Sequence, residues 1–342
     1  MTNKNHRKVY LVGAGSGDPE LITIKGLRLL QNADVIVYDR LVNPILLYLT
    51  PPQAKLVYVG KSPDLHIKSQ TDIGNLLVEL AKSGQSVVRL KGGDPAIFGR
   101  VGEEMTHLQS EGVAYEVVPG ITAASSVSIY AAIPITQRQV AERVLIMTPR
   151  EILDDFSELD LIKTLKSTTL VLYMGVGALP DVIEVMKNQG VSPEMALAIV
   201  ENGTQAKQRT LLTTLKTITD DLVKQPPKNP ALIIIGQAVK LAPDISWFQD
   251  LPRFGQRILL VRTTAPEMTD ISAFTSQGAD VWVTIIGDKR QERFDTLDTI
   301  KLSEPFDQII FQEGTQPKEL EKLKERLAIC TKKPILPKES FL

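Results

Sequence analysis

Side chains that could do chemistry gather around a glycine pair in the segment 88–100. An apolar run ends there at Gly92 and Gly93, which let the backbone bend sharply and let a ligand approach closely. Asp94 follows as a hydrogen-bond acceptor, Pro95 fixes the exit, and two arginines and a lysine lie within twelve residues of the acid. The segment predicts either a polar binding turn or an ordinary connection between a strand and a helix.

Two further glycine-containing stretches resemble phosphate-binding loops but do not match the sequence patterns that such loops require. Residues 13–17 follow a short apolar run, yet Asp18 stands where a dinucleotide-binding loop needs its third glycine. A carboxylate there would repel a pyrophosphate, so this loop favours a ligand with a positive group. Residues 60–62 read Gly-Lys-Ser, but Lys55 stands where a nucleotide P-loop needs its first glycine. We therefore expect neither loop to hold nucleotide phosphates.

A second candidate acid is Asp39, which ends a predicted strand over 33–40 with Arg40 beside it. In open parallel sheets, ligands bind outside the carboxyl ends of the strands, and Asp39 would lie at such an end. The alternative is that Asp39 caps a helical segment beginning near Asn43. The residues alone leave both interpretations open.

Size, charge and cysteine content restrict the class of protein. The 342 residues suffice for two or three domains, and a formal net charge of −1 favours neither nucleic acid nor an anionic membrane as partner. The single cysteine, Cys330, excludes an internal disulfide, and three scattered histidines lack metal-ligand spacing, so we expect no metal. The basic start lacks an apolar signal core, and no apolar run reaches membrane-spanning length. These features predict a cytoplasmic protein.

The order of apolar runs and turns predicts an α/β chain in three parts. Residues 1–138 contain about five strand-helix units, and residues 139–248 form a second α/β domain with strands over 143–148, 169–174, 195–200 and 231–235. A linker near 251–255 precedes a smaller α/β piece over 255–342. We expect the ligand cleft between the first two domains.

Seven spaced motifs in residues 9–248 resemble the uroporphyrinogen-III C-methyltransferases, which are tetrapyrrole methylases that use S-adenosylmethionine. Each motif is unspecific by itself, but all occur in the family's order and at its spacing. The motifs are residues 12–19 (VGAGSGDP), 37–42 (VYDRLV), 59–61 (VGK), 88–104 (VRLKGGDPAIFGRVGEE), 118–125 (VPGITAAS), 173–175 (YMG) and 200–204 (VENGT). The chain departs from the family at Ser16, Val101 and Gln137, where Pro, Gly and His are usual.

The resemblance implies a two-domain tetrapyrrole methylase fold with the ligand cleft between the domains, assembled as a homodimer. It implies two successive methylations of uroporphyrinogen III, at C2 and C7, which give precorrin-2 and S-adenosylhomocysteine on the route to sirohaem and cobalamin. It assigns Asp39 as proton acceptor and Lys61 as proton donor. The positions that match the family's contacts to the methyl donor are Ser16, Gly92, Gly93, Asp94, Ile97, Thr122, Ala123, Met174 and Gly203.

The implied chemistry needs alignment of the reacting carbon and the methyl group rather than a metal or a nucleophilic side chain. A carboxylate such as Asp39 can accept a proton from the ring. The substrate carries eight carboxylates, which we expect Arg40, Arg100 and Arg138 to pair with, unless they are ordinary solvated side chains. Two other functions stay open: methylation of a later precorrin, and a non-catalytic role that retains the methyl-donor pocket.

The end of the chain resembles another enzyme of tetrapyrrole synthesis. Residues 257–263 (RILLVRT) and 306–311 (FDQIIF) are similar to the first part of uroporphyrinogen-III synthase. A whole synthase has two lobes around its substrate, and residues 255–342 have the length of about one. We therefore expect no synthase activity from this segment alone.

Overall fold

The chain folds into two compact units, each with its own sheet core. The computed structural model describes residues 8–60, 69–154, 159–327 and 329. The first unit comprises the described residues of Met1–Ile121 and Gly255–Leu342, and the second unit is Thr122–Phe254. The last part of the chain therefore belongs to the same unit as the first.

The first unit begins with a five-stranded, fully parallel sheet in the order β3-β2-β4-β1-β5. Its strands are β1 (Val9–Gly13), β2 (Val35–Tyr38), β3 (Lys55–Tyr58), β4 (Val87–Lys91) and β5 (Tyr115–Val118). The helices between them are α1 (Ile24–Leu30), α2 (Gln70–Lys82) and α3 (Val101–Ser110). Two 3-10 helices, Pro19–Leu21 and Pro44–Leu49, follow β1 and β2. This pattern confirms the expected α/β class with a parallel sheet.

Successive side chains of each strand point to opposite faces of the sheet, so apolar residues form a core on both faces. Val9 and Leu11 of β1 pack on one side with Leu77 of α2 and Leu108 of α3. Val12 faces the other side, in a cluster that also contains the 3-10 helix Pro44–Leu49. Both faces are covered, as a parallel sheet requires.

The second unit has a mixed five-stranded sheet in the order β6-β7-β10-β8-β9. Only the β6–β7 pair is parallel; the other three pairs are antiparallel. The strands are β6 (Arg143–Met147), β7 (Thr168–Leu172), β8 (Ala196–Glu201), β9 (Arg209–Thr214) and β10 (Ala231–Ile235). The helices are α4 (Ala123–Tyr130), α5 (Arg150–Leu153), α6 (Leu161–Thr164), α7 (Leu179–Asn188) and α8 (Ile218–Lys224). Strand β9 is an addition to the four strands predicted from the sequence.

Helix α4 belongs to the second unit although it precedes the domain boundary predicted after residue 138. Its Ala124 and Val127 pack against Val171 of β7 and Ile234 of β10. This apolar contact explains why the compact unit begins at Thr122. The boundary between functional domains at 138 and 139 stays a prediction.

The C-terminal lobe, by which we mean the described residues from Gly255 onward, adds a three-stranded parallel sheet to the first unit. Its order is β12-β11-β13. The strands are β11 (Arg257–Arg262), β12 (Asp280–Ile285) and β13 (Gln308–Phe311), and the helices are α9 (Met268–Thr275), α10 (Asp295–Leu302) and α11 (Pro317–Arg326). Its apolar side chains share one buried cluster with the first sheet. No helix in the described ranges has the length and apolarity to cross a bilayer.

Three glycines bring backbones into direct contact at the carboxyl edge of the first sheet. A Cβ added to Gly120 would lie 2.2 Å from the carbonyl oxygen of Gly93 and 2.8 Å from the Cα of Gly13. Gly93 also donates its N–H to the carbonyl of Gly15 at 2.6 Å, and Gly15 donates back at 3.3 Å. The loops after β1, β4 and β5 are therefore joined to each other through their main chains.

We expect Gly120→Ala to lower the free energy of unfolding by about 1–3 kcal/mol, since the added methyl group would force these backbones apart. The matched control is Gly102→Ala in α3, where an added Cβ meets nothing within 4 Å. The control should be neutral or stabilising by up to about 1 kcal/mol, because alanine favours a helix. Urea unfolding measures both variants. Equal stability of the two would contradict the close packing.

Candidate functional site

Asp39 follows β2, and two hydrogen bonds fix the orientation of its carboxylate. One oxygen, Oδ1, accepts from the backbone N–H of Leu41 at 3.1 Å, and Oδ2 accepts from Nη2 of Arg89 at 3.2 Å. The side chain is 26% exposed, so solvent or a ligand can still reach it. Asn43, not Asp39, caps the 3-10 helix Pro44–Leu49 by accepting from the N–H of Ile45. The cap interpretation of Asp39 is therefore wrong for this helix.

Arg89 lies inside β4 and belongs to a buried ion cluster behind Asp39. Its Nε donates to Glu104 of α3 at 3.2 Å, and its Nη1 donates to the carbonyl of Leu90 at 3.0 Å. The ammonium of Lys91 donates to both oxygens of the same glutamate at 2.9 Å. The side chains of Arg89, Lys91 and Glu104 are 5%, 6% and 0% exposed. Together with Asp39 they carry two positive and two negative charges, so the cluster is compensated.

The cluster affects the protonation of its lysine. Burial, and next the charge of Arg89, hold the pKa of Lys91 below its usual value, while Glu104 and Asp39 oppose that shift. Gln70 of α2 also donates to Glu104, at 3.2 Å. Glu104 therefore receives hydrogen bonds from three side chains, and it is the acid on which the buried cations depend.

The two glycines after β4 have different surroundings: Gly92 is packed against protein atoms, whereas Gly93 borders open space. A Cβ added at Gly92 would lie 2.6 Å from the Cβ of Leu41, so this glycine lets the loop after Asp39 pack closely. Gly93 has a φ of +70°, and a Cβ there would meet nothing within 4 Å. The space beside Gly93 is compatible with the predicted approach of a ligand.

Asp94 folds back on its own turn rather than extending from it. Its Oδ1 accepts from the N–H of Ala96 at 2.7 Å, and Oδ2 accepts from the N–H of Gly120 at 3.1 Å. The half-buried Ile97 donates its N–H to the carbonyl of Asp94 at 3.2 Å. Ser16, also half-buried, lies in the β1 loop, which the Gly15–Gly93 bridge joins to this turn. The five predicted positions of this unit, Ser16, Gly92, Gly93, Asp94 and Ile97, and Asp39 thus lie at the carboxyl edge of the first sheet.

The three arginines proposed for substrate binding occupy different surroundings. Arg40 is exposed near Tyr58, where its charge opposes the rise that burial causes in the pKa of that tyrosine. Arg100 is 59% exposed and forms a two-point ion pair with Glu103, with distances of 2.8 and 2.7 Å. This hydrogen bond holds the pKa of Glu103 below its usual value. Arg138 is an exposed residue of the second unit, within the tight turn closed by the Gln137–Ala141 bridge.

In the second unit, Tyr173 organises the start of α4. Its hydroxyl accepts from the N–H of Ala124 at 2.7 Å and lies 2.6 Å from Oγ1 of Thr122. Because that hydroxyl accepts from the helix, its own proton is available to Thr122. A tyrosine 49 residues away thus takes the place of an N-cap side chain. Thr122 and Ala123, the predicted donor contacts, stand at this helix start.

Met174 and Gly203 lie on loops whose backbones are held in unusual conformations. Met174 is 67% exposed with a φ of +56°, which a non-glycine residue rarely adopts. It lines a cavity of about 490 Å³ with Thr148, Pro149, Arg150, Leu153, Asp154 and Ala178. A Cβ added at Gly203 would lie 2.4 Å from Val127 of α4. Tyr173, which precedes Met174, and Gly203 therefore both contact α4, whereas the cavity beside Met174 is lined by other residues than Thr122, Ala123 and Gly203.

Sequence reasoning missed Arg89, Lys91, Glu104 and Tyr173 as parts of the site, and it named Lys61, which lies outside the described residues. The i, i+2 spacing of Arg89 and Lys91 placed both cations on one face of a buried strand, which signals a buried partner. No such signal identifies Tyr173. Within the described ranges, no three His, Cys, Asp or Glu side chains come together as a metal site would need.

The comparisons with known proteins now identify the class. The family model of the tetrapyrrole (corrin/porphyrin) methylases matches residues 8–219, and the chain belongs to this family. A siroheme synthase from Methylobacillus flagellatus is 45% identical over 249 residues, which are 72% of this chain and 53% of that protein. A uroporphyrinogen-III C-methyltransferase from Bacillus subtilis is 41% identical over 275 residues, 80% of this chain and 57% of the relative.

A solved structure supports the fold. The uroporphyrin-III C-methyltransferase from Thermus thermophilus, complexed with S-adenosylhomocysteine, superposes with a TM-score of 0.56 at 38% identity. The match covers 68% of this chain and 94% of that one. This finding confirms the tetrapyrrole methylase fold. The chain spans about half the length of the curated relatives it matches.

We expect Glu104→Gln to lower the free energy of unfolding by about 3–5 kcal/mol, because two buried cations would lose their shared counter-charge. The pKa of Lys91 would then fall further below its unfolded value. Part of the lost stability should return as the pH rises toward about 10.4, where the unfolded chain also releases this proton.

Glu103→Gln is the matched control, since Glu103 is the exposed neighbour and its ion pair with Arg100 is solvated. Its unfolding curve should nearly coincide with that of the parent chain. Denaturant titrations at several pH values measure both variants. Equal effects of the two substitutions would contradict the buried role of Glu104.

Tyr173→Phe should destabilise the chain by about 1 kcal/mol, because the N–H of Ala124 loses its acceptor. Thr122→Val removes the second partner of the same hydroxyl. A double-mutant cycle measured by chemical unfolding should give a coupling of at least about 0.5 kcal/mol. Fully additive effects would contradict the shared hydrogen bond.

Proposed function

We propose that this chain is an S-adenosylmethionine-dependent C-methyltransferase that converts uroporphyrinogen III to precorrin-2 by methylation at C2 and C7. The observation that carries the proposal is Asp39, a carboxylate fixed by two hydrogen bonds at the carboxyl edge of a parallel sheet in a tetrapyrrole methylase. The names of the two relatives, uroporphyrinogen-III C-methyltransferase and siroheme synthase, support it. The product would feed sirohaem and cobalamin synthesis.

In the proposed reaction, an electron-rich pyrrole carbon attacks the methyl group of the donor. The new carbon–carbon bond forms as the sulfur–methyl bond breaks, and sulfur keeps the electron pair, which leaves neutral S-adenosylhomocysteine. A proton then leaves the tetrapyrrole. Asp39 is the proposed acceptor, since Arg89 and the N–H of Leu41 hold its carboxylate in one orientation. The resemblance gives Lys61 the role of proton donor.

Two sets of residues are proposed for contact with the methyl donor. The set in the first unit is Ser16, Gly92, Gly93, Asp94 and Ile97, and the open space beside Gly93 supports it. The set in the second unit is Thr122, Ala123, Met174 and Gly203, and the contacts of Tyr173 and Gly203 with the α4 region support their grouping. The Thermus thermophilus relative was solved with S-adenosylhomocysteine, which supports the proposed methyl donor.

The acidic substrate calls for cations that are not already neutralised. Arg40 and Arg138 are exposed and are proposed to pair with its carboxylates. Arg100 already shares its guanidinium with Glu103, so a substrate carboxylate would have to compete with that acid. The near-zero net charge is consistent with a cytoplasmic enzyme that acts without nucleic acid or a membrane. Assembly as a homodimer is part of the proposal by resemblance.

Incubation of the chain with S-adenosylmethionine and uroporphyrinogen III should give a tetrapyrrole that is heavier by two methyl groups, as measured by mass spectrometry. Asp39→Asn should lower kcat by about 10²–10⁴-fold, because the ring proton loses its acceptor. Affinity for S-adenosylhomocysteine, measured by calorimetry, should change little.

Asp34→Asn is the matched control. This carboxylate precedes the same strand and accepts from the N–H of Ser86 at 2.8 Å, at the opposite end from Asp39. The control should methylate like the parent chain. If Asp39→Asn abolished donor binding, Asp39 would belong to the donor site rather than to proton transfer. If the parent chain added no methyl group, the proposed reaction would be wrong.

A further inference from the structure

Tyr48, in the 3-10 helix Pro44–Leu49 that follows the Asp39 loop, packs against aromatic side chains of the C-terminal lobe. The Tyr48 ring stacks on Phe294 with centroids 3.8 Å apart and an interplanar angle of 6°, and it meets the edge of Trp282 at 5.4 Å. Tyr48 is 2% exposed. Burial, and next the carboxylate of Asp298, raise its pKa well above the usual value. The phenol is therefore a neutral, fully packed anchor between the lobe and the 3-10 helix Pro44–Leu49.

Arg293 adds a polar contact at the same place. Its Nη1 donates to the carbonyl of Ala54 at 2.6 Å, and its Nη2 reaches the carbonyl of Thr50 at 3.5 Å. Its guanidinium lies 4.9 Å from the centre of the Phe294 ring. Burial lowers its pKa to about 10, so the group remains charged at neutral pH. One side chain thus joins the lobe to both ends of the connection from the 3-10 helix to β3.

The 3-10 helix is itself tied to the two loops proposed to do chemistry. At its start, Nδ2 of Asn43 donates to the carbonyl of Gly17 in the β1 loop at 2.7 Å. The N–H of Val42 donates to the carbonyl of Asp39 at 3.3 Å. A displacement of the helix would therefore move both the Asp39 loop and the glycine loop.

The lobe has a second contact, directly after the glycine loop. Oγ1 of Thr275, in α9, donates to the Glu20 carboxylate at 2.7 Å. Glu20 lies in the 3-10 helix Pro19–Leu21, which Asp18 caps by accepting from the N–H of Glu20 at 2.9 Å. The lobe therefore holds each of the two short helices that follow the candidate loops.

We propose that the C-terminal lobe is a positioning element for methyl transfer, which fixes the Asp39 loop and the β1 glycine loop through the helices Pro44–Leu49 and Pro19–Leu21. This inference rests on the proposed function for its catalytic consequence. Tyr48, Arg293, Phe294 and Thr275 act through the loops and do not contact the reacting atoms. The lobe thereby contributes to the methylase site without having a reaction of its own.

The test compares two arginines of the lobe in the full chain. Arg293→Met removes the contact to the 44–54 segment, whereas Arg257→Met removes a similar contact inside the lobe. Arg257 donates to the carbonyl of Pro305 at 2.7 Å and lies 4.7 Å from the Phe306 ring, and it also pairs with Glu304 at 3.1 Å, so its loss removes contacts of the same kinds and an ion pair besides. Thermal unfolding shows whether both variants are folded at the assay temperature.

Arg293→Met should lower kcat/KM for methyl transfer by about tenfold or more, since small misplacements far from the chemistry can cost up to about 10²-fold. Amide hydrogen exchange over residues 39–50 should become faster in this variant. Arg257→Met should change neither quantity, and Arg293→Lys should restore part of both, since an ammonium can still donate to Ala54. A general loss of stability would not produce this difference between the Arg293 and Arg257 variants.

Equal behaviour of Arg293→Met and Arg257→Met in both measurements would overturn the inference. If the parent chain did not methylate, the proposed function would fail, and the hydrogen-exchange comparison would still decide whether the lobe positions the loops. If Arg293→Met did not fold, Thr275→Val would replace it, with Thr299→Val as control. Thr299 donates only within its own helix, to Asp295 at 2.8 Å.

Discussion

The guanidinium of Arg89 connects the core of the first sheet to Asp39 at its carboxyl edge. One side of it binds Glu104, which is completely buried, and another binds Asp39, which solvent can reach. A charge this deep in a protein is stable only with good partners, so the positions of α3, β4 and the end of β2 become interdependent. The same requirement fixes the orientation of the Asp39 carboxylate. In the proposed reaction, preorganisation of this kind would lower the cost of aligning the reacting groups.

Much of the first unit could be predicted from the sequence because its signals are local. The apolar runs that end in glycine or an acid correctly indicated β1, β2 and β4, and the parallel order places their carboxyl ends together. The ion cluster could not be predicted, because it depends on Glu104 meeting a strand 13 and 15 residues earlier. A glutamate in the first turn of a helix is equally well explained by the helix dipole. Only the three-dimensional packing shows that Glu104 is buried and Glu103 exposed.

Long-range contacts explain why the role of Tyr173 and the strand β9 were not predicted in the second unit. Tyr173 belongs to the motif 173–175, but its role depends on a helix start about fifty residues earlier in the chain. Strand β9 was missed because none of its residues is fully buried and they form no continuous apolar run. It gains its partners by antiparallel pairing with β8. The strands that are buried throughout, β7 and β8, were predicted. Sequence patterns therefore located four strands of this sheet, including the edge strand β6, and missed only the antiparallel edge strand β9.

The C-terminal lobe illustrates how a small α/β piece can be stable without a complete core of its own. Three strands and three helices bury limited area, and domains of this size are often marginal. A parallel sheet also needs cover on both faces, and the first sheet has α2 and α3 on only one of them. The lobe and the 3-10 helix Pro44–Leu49 form one buried cluster with the other face of the first sheet. This packing covers that face and also completes the core of the lobe. The lobe is therefore a layer of the methylase unit in structural terms, whatever enzyme its sequence resembles.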